Sequence, residues 1–451
     1  WLKPSRASAA KFLPHTTFAA RGPPPPASSM RYSRAALLGL ACAGRLLCRR
    51  SARGLLPFAV PARRRTPRRH GQRRLSVAGT LPDRRHCSRH VRFAGRADLF
   101  PGQLVALSGS WDGTLRMWDV GQGESLREMT GHSGAIWRVM ADWDSGRALS
   151  MGADNVIRLW DLSSGESIQH IGGGDSLQTV QVNWTSGQAL TAHGRGDMKL
   201  WDLASGKVVK HISSPVSSAT LCMIVDWPSE RVLSTLSDGA LQVWDLQQGR
   251  VIQEWYGHGE PVSCLTANWE KNYAMTAAYD KTVRLWDILS GSELLTFSPH
   301  TEPVFNIAVD WDNWNVLTAS GDHTLMLWAL EANQNDGALA GSFTVPKLPI
   351  WLRSHSGAVW DAPVHWPSKR ALSAGGDGRL KLWDLTRGEV ITEFQGHRLP
   401  LMGVHVNWDS QRALSLGGDN ALRFWDLESG DSLRVLEGHI GAVSCAAVRW
   451  E

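Results

Sequence analysis

From residue 104 onward the chain reads as short apolar stretches, four to six residues long, separated by turn signals at regular intervals. Residues 135–143 are apolar and strand-like, and Asp144, Ser145 and Gly146 make a turn. Residues 147–151 form a second strand, Asp154 and Asn155 turn again, and 156–160 alternate. Ser164 and Gly165 then precede a fourth strand at 167–171. Four short strands joined by Gly, Asp, Asn and Ser turns predict one small antiparallel sheet. The unit recurs. Trp-Asp stands at 118/119, 160/161, 201/202, 244/245, 286/287, 383/384 and 425/426, with Trp328-Ala329 as an eighth copy. A second Trp series runs 143, 184, 227, 269, 311, 366, 408 and 450. The usual interval is 41–43 residues, a period that marks a repeat architecture. A four-stranded unit of this length is a blade of an all-β propeller.

Label the strands a to d. The N-terminal end supplies b, c and d in 104–129 without an a, and the C-terminal end supplies an a, 442–450, without the rest. Eight blades close into a ring if the last strand pairs with the first, leaving no open radial edge. A truncated array is the alternative, and the leading Trp1 keeps it open. Gly131-His132 followed by Trp160-Asp161 resembles the WD40 family signature, and the resemblance covers about 350 residues. It implies an eight-bladed propeller over 99–451.

The resemblance also implies a use for a recurrent polar set. His132, Ser150, Asp154 and Trp160 recur as His258, Thr276, Asp280, Trp286; His300, Thr318, Asp322, Trp328; His355, Ser373, Asp377, Trp383; and His397, Ser415, Asp419, Trp425. His439 at one end and Ser108, Asp112 and Trp118 at the other make a sixth set if the ring closes. A catalytic triad is one site built once. In WD40 proteins the equivalent residues form a structural hydrogen-bond network joining strands a, b and c. Blade 3 has Gly173 and Arg195 in place of His and Asp, so both ends of its network are expected to be lost together. Blade 4 has Val216 at the His position, with Asp238 retained. These two blades are expected to be the looser part of the ring. Thirteen extra residues around 331–349 fall in the c–d or d–a connection of blade 6.

Composition changes the picture at one end only. Of the 451 residues, 43% are apolar and 23 are Trp against 4 Tyr; the repeat accounts for the Trp excess. Six Cys exclude a disulfide-rich secreted scaffold, and no apolar run approaches the length of a transmembrane helix. Residues 1–98 hold 22 basic residues against Asp83 and Asp98, a net +20; the remainder holds 26 basic against 40 acidic, a net −14. The segment 1–98 is rich in Arg and Pro and is expected to be disordered. Four readings stay open: a cleaved organelle or secretory presequence, an untranslated or misjoined stretch, a basic arm for nucleic acid or anionic membrane, and an inert tail. Localisation follows that choice: organellar with a presequence, cytoplasmic or nuclear without. His86, Cys87 and His90 lack the second pair of ligands that a closed zinc site needs.

No phosphate loop, dinucleotide fingerprint or metal cluster is visible in 99–451, so no cofactor is expected. Cys222, Cys264 and Cys445 fall on strand a at interior-type positions and are expected to be buried thiols. The leading expectation is a non-catalytic scaffold for protein or peptide partners. The resemblance places them on the face bearing the b–c and d–a loops. Trp111, Trp137, Tyr279, Phe305 and Trp360 point there as candidate contacts, with strand packing as the competing use. An enzyme or small-ligand binder using the central channel is the alternative, with Arg138, Asp361, His365 and His405 as its scattered titratable groups. Nucleic acid is expected only through the basic segment.

Overall fold

The computed structural model describes residues 100–172, 176–333, 342–345 and 348–450. The expectations for 1–98 and for Gly173 fall outside the described residues. The described chain forms eight antiparallel blades and one small hairpin. We number the blades by their Trp-bearing strand c, from Leu115–Asp119 in blade 1 to Leu422–Asp426 in blade 8. Blade 2 shows the plan. Ile136–Asp142 is strand a, followed by Arg147–Gly152, Val156–Asp161 and, at the outer edge, Ser167–Gly172. Strand b is buried along almost its whole length, which suits its Ala-Leu-Ser run; strand d is largely exposed.

The turns are set by individual residues. In seven blades the Asp of Trp-Asp accepts a backbone N–H across the c–d turn, as Asp161 does from Ser163 at 2.7 Å and Asp426 from Glu428 at 2.8 Å. Five residues after each of those Trp comes a left-handed Gly, from Gly123 to Gly430, a conformation that costs glycine little. Blade 6 has Ala329 in place of Asp, and there the chain departs. It makes a hairpin, Glu331–Asn333 with Ser342–Thr344, before a short strand d, Ile350–Arg353. The insertion therefore lies in the c–d connection.

Apolar clusters fill the gaps between neighbouring blades. Each is clamped by two Trp of one blade, one from strand c and one from the turn after strand a: Trp160 with Trp143, Trp201 with Trp184, Trp383 with Trp366. The gap between blades 8 and 1 is built alike, with Trp118 and Trp450 against Leu414, Leu422 and Phe424. The ring closes as a sheet too: Val443–Arg449 pairs with Val105–Ser110, with Leu107 opposite Ala447. In blade 7, Pro363 lacks a ladder donor and splits strand a into Val359–Asp361 and Val364–His365.

Candidate functional site

The polar sets form on the face where the d–a and b–c loops meet. In blade 2, His132 Nε2 lies 2.7 Å from Ser150 Oγ, and Nδ1 lies 2.9 Å from an Asp154 carboxylate oxygen. The Trp160 indole N–H donates to the same hydroxyl at 2.8 Å. Blade 5 repeats this with His258, Thr276, Asp280 and Trp286. Blade 7 does so with His355, Ser373, Asp377 and Trp383, and blade 8 with His397, Ser415, Asp419 and Trp425. Blade 1 assembles its set from both chain ends: His439 lies 2.8 Å from Ser108 and 3.1 Å from Asp112, and Trp118 donates to Ser108 at 2.8 Å.

The electrostatics fix the protonation state. Burial holds the His132 and His439 imidazoles below their usual range, although the partner carboxylates pull the other way. Burial also opposes ionisation of the carboxyls, but hydrogen bonds win. Thr114, the Ile440 N–H and His439 bring Asp112 down to about 2, and His355 with the Ser356 N–H does the same for Asp377. In blades 1 and 2 the state at neutral pH is therefore carboxylate and neutral imidazole. Nδ1–H then donates to Asp, and Nε2 accepts the Ser or Thr proton, whose oxygen in turn accepts the indole N–H. In blades 1, 2, 5, 7 and 8 every member of the set thus has its partner.

Two blades correct the sequence reading, and blade 4 keeps part of the set. In blade 6, His300 bonds Thr318 at 2.8 Å and Asp322 at 2.9 Å, but the Trp328 N–H has no hydrogen-bond partner. Its strand d pairs only as far as Leu327 opposite Ile350, and the Trp328 ring packs on Phe297 at 4.9 Å, within the cluster that the inserted Phe343 completes. In blade 3 the imidazole is replaced rather than lost. His193, two residues after Thr191 on strand b, places Nε2 at 3.0 Å from the Thr191 hydroxyl, which accepts the Trp201 N–H at 2.9 Å. The same position is Gly in blades 2, 7 and 8, where an added Cβ would meet the His and Asp side chains. It is the buried Leu236 in blade 4, where Ser234 still accepts the Trp244 N–H at 2.8 Å.

A second polar system was not visible in the repeat pattern. Side chains on the innermost strands tie each blade to the next. Ser444 Oγ donates to the Ile136 carbonyl, and Arg138 Nη1 to Thr179 Oγ1 at 3.0 Å. Gln181 Nε2 donates to the Met223 carbonyl at 2.9 Å, Cys222 Sγ approaches that of Ser263 at 3.5 Å, and Ser263 Oγ donates to Val304. Asn306 Nδ2 donates to Asp361 at 2.9 Å, and the Asp361 carboxylate also accepts the Val404 N–H at 3.2 Å. Burial holds His405 down at about 4, against its hydrogen bond to the Ala446 backbone. Burial likewise lowers Arg138 to about 10. The fourth scattered channel group, His365, stacks on Trp408 at 5.6 Å and bonds Ser368 at 2.7 Å. All four thus sit in contacts between blades. Cys264 and Cys445 are free and buried, as expected; Cys222 is buried too but is disulfide-bonded, which corrects the expectation of a thiol at that position. Among the described residues, no group of three or more His, Cys, Asp or Glu is placed to hold a metal ion. No helix there is long and apolar enough to cross a membrane.

The candidate contact residues separate into two groups. Each strand a carries a β-bulge after its first residue, and bulges re-aim side chains. Trp137, Phe305 and Trp360 occupy bulge positions. Phe305 stacks on Trp360 with centroids 4.7 Å apart, and Tyr279 from the neighbouring b–c loop meets Phe305 edge-on at 5.9 Å. These three make one aromatic run across blades 5, 6 and 7. Trp137 packs against the core between blades 2 and 3 instead, and Trp111, half-buried in the b–c loop of blade 1, lies outside the run.

Eight radial four-stranded sheets, closed by pairing of Val443–Arg449 with Val105–Ser110 and braced by His–Ser/Thr–Trp bonds, define the class: a β-propeller of repeat type. The sequence profile of the WD domain, G-beta repeat family matches residues 97–119, 123–161, 249–287, 291–329 and 347–384. The chain belongs to this WD40-repeat family. Eukaryotic translation initiation factor 3 subunit I of Drosophila willistoni is 51% identical over 37 residues, which are 8% of this chain and 12% of that protein. The match thus spans about an eighth of that relative's length. The crystal structure of the computationally designed Ika8 protein is similar with a TM-score of 0.59 and 21% identity, over 72% of this chain and 94% of that one, a likeness of fold.

Proposed function

We propose that this protein is a non-catalytic interaction scaffold that offers the face bearing its His-containing loops to peptide or protein partners. The observation that carries the reading is the aromatic run Tyr279–Phe305–Trp360, which spans three blades on that face with Tyr279 and Trp360 half-exposed. Aromatic side chains offer large contact area at low entropic cost and anchor many interfaces. The inter-blade bonds of Arg138, Asp361 and His405 give those groups a structural use, which supports a scaffold over channel chemistry. The family membership fits the same reading. Proximity labelling in cells, comparing the full chain with its Tyr279→Ser/Trp360→Ser variant at matched fold by near-ultraviolet circular dichroism, tests it. A defined subset of labelled proteins is expected to disappear in the variant. An unchanged set would refute the assignment of this face.

A further inference from the structure

We infer that the partner segment seated on the aromatic run is arginine-bearing; the inference rests on the scaffold reading above and names the chemistry of its partner. The run is edged by carboxylates. Glu260 and Glu302 are both exposed, and each stands one residue before a proline whose carbonyl anchors the facing b–c loop: Tyr279 N–H to Pro261 and Gly321 N–H to Pro303, both at 2.9 Å. A Cβ on Gly321 would touch the Phe305 ring at 3.2 Å and the Glu302 Cβ at 3.3 Å, so the base of the Glu302 side chain and the ring share one rim. The nearby cation, Lys281, is turned to the Thr301 carbonyl, while Arg398 lies beyond Trp360 on blade 8. The body around the run is net negative by 14 charges. Aromatic faces attract cations, and a planar guanidinium both stacks on a ring and pairs bidentately with a carboxylate. Arginine meets both halves of this rim at once, whereas an acidic segment is repelled and a purely apolar one leaves the carboxylates idle.

The test is isothermal titration of the full chain with a twelve-residue peptide of alternating Arg and Gly, and with its citrulline counterpart of the same shape and no charge. The Arg peptide is expected to bind at least about tenfold more tightly. Glu260→Gln/Glu302→Gln is expected to erase most of that difference while leaving the citrulline peptide unaffected, and Trp360→Ser to weaken both. Equal binding of the two peptides, still lost in Trp360→Ser, would overturn arginine recognition and leave the surface assignment standing. Arg-peptide binding indifferent to Trp360→Ser would show mere attraction to an acidic body and overturn the inference. Binding that emerges only after Arg63, Arg64, Arg65, Arg68, Arg69, Arg73 and Arg74 are replaced by Gln would assign the surface to the chain's own basic segment and overturn a separate partner. The Glu variants lie on exposed loops outside the blade cores, so their readout does not depend on refolding the ring.

Discussion

At the scale of residues, the molecule repeats one small proton arrangement and substitutes for it where the sequence drifts. The arrangement makes stability depend on pH in two stages. His132 and His439 are held below their usual range when folded, so below about pH 6.5 the unfolded chain binds more protons and stability falls. Asp112 and Asp377, held at about 2, add a second loss as pH drops through about 4 toward 2. Melting temperatures measured from pH 8 to pH 3 are expected to decline below 6.5 and steepen below 4; a curve flat to pH 4 would contradict the neutral-imidazole assignment. His193 gives a sharper test. It lies on strand b rather than in the d–a loop, yet its ring nitrogen meets the Thr191 hydroxyl at 3.0 Å. His193→Ala is expected to cost about 1 kcal/mol in denaturant unfolding, the loss of one buried hydrogen bond from Thr191, whose hydroxyl keeps the Trp201 N–H and the Lys199 carbonyl. A cost within about 0.5 kcal/mol, ordinary for a surface site, would mean the ring is not a working substitute.

At the scale of elements, blade 4 is the one in which, among the described residues, no imidazole bonds the strand-b hydroxyl. There Ser218 and Ser237 face each other at 3.1 Å, and the Ser237 hydroxyl accepts the Ala219 N–H at 3.2 Å. Two small hydroxyls make a lighter tie than an Asp–His–Thr chain. Amide exchange is therefore expected to be faster in Thr220–Asp226 than in the matching Val262–Asn268 of blade 5. Leu177–Asn183 of blade 3, backed by His193, is expected to resemble blade 5; equal rates in all three would refute the distinction. The strands, turns and two Trp series were legible in the sequence because each follows from a period and a local residue type. The place of the insertion was half legible. Ala329 breaks the Trp-Asp series at the c–d turn that the Asp otherwise caps, and that signal points to c–d rather than d–a. The His193 substitution and the inner-strand bonds were not legible. They depend on which side chains of different repeats face each other across a gap, and Arg138, Gln181, Cys222, Ser263 and Asp361 share no residue type that a repeat search could align. The aromatic run was partly legible: the five residues share register positions, but only the ring places Tyr279, Phe305 and Trp360 in contact and leaves Trp111 and Trp137 apart.

At the scale of the whole molecule, closure joins residues more than 320 positions apart: the Ser108–His439 contact spans 331 residues and the Asp112–His439 contact 327. Contacts of such separation reward the chain only after a long loop has been closed, so they close the ring without helping to start it. They also make closure testable by coupling. His439→Ala leaves Ser108 and Asp112 covered and short of a partner, and Asp112→Ala leaves the Nδ1–H of His439 and the Ile440 N–H unmatched. Each change is expected to cost about 1–3 kcal/mol in denaturant unfolding. The double variant is expected to cost less than the two singles together, because the orphaned-partner penalty is counted once. The equivalent cycle on His258 and Asp280, both within blade 5, supplies the reference for the same chemistry without closure. If the end-to-end pair couples as strongly as the local pair, the two chain ends behave as one blade. Strict additivity at His439 and Asp112, beside clear coupling at His258 and Asp280, would mean that the ends of the chain do not hold each other in solution and that the ring stands open between blades 8 and 1.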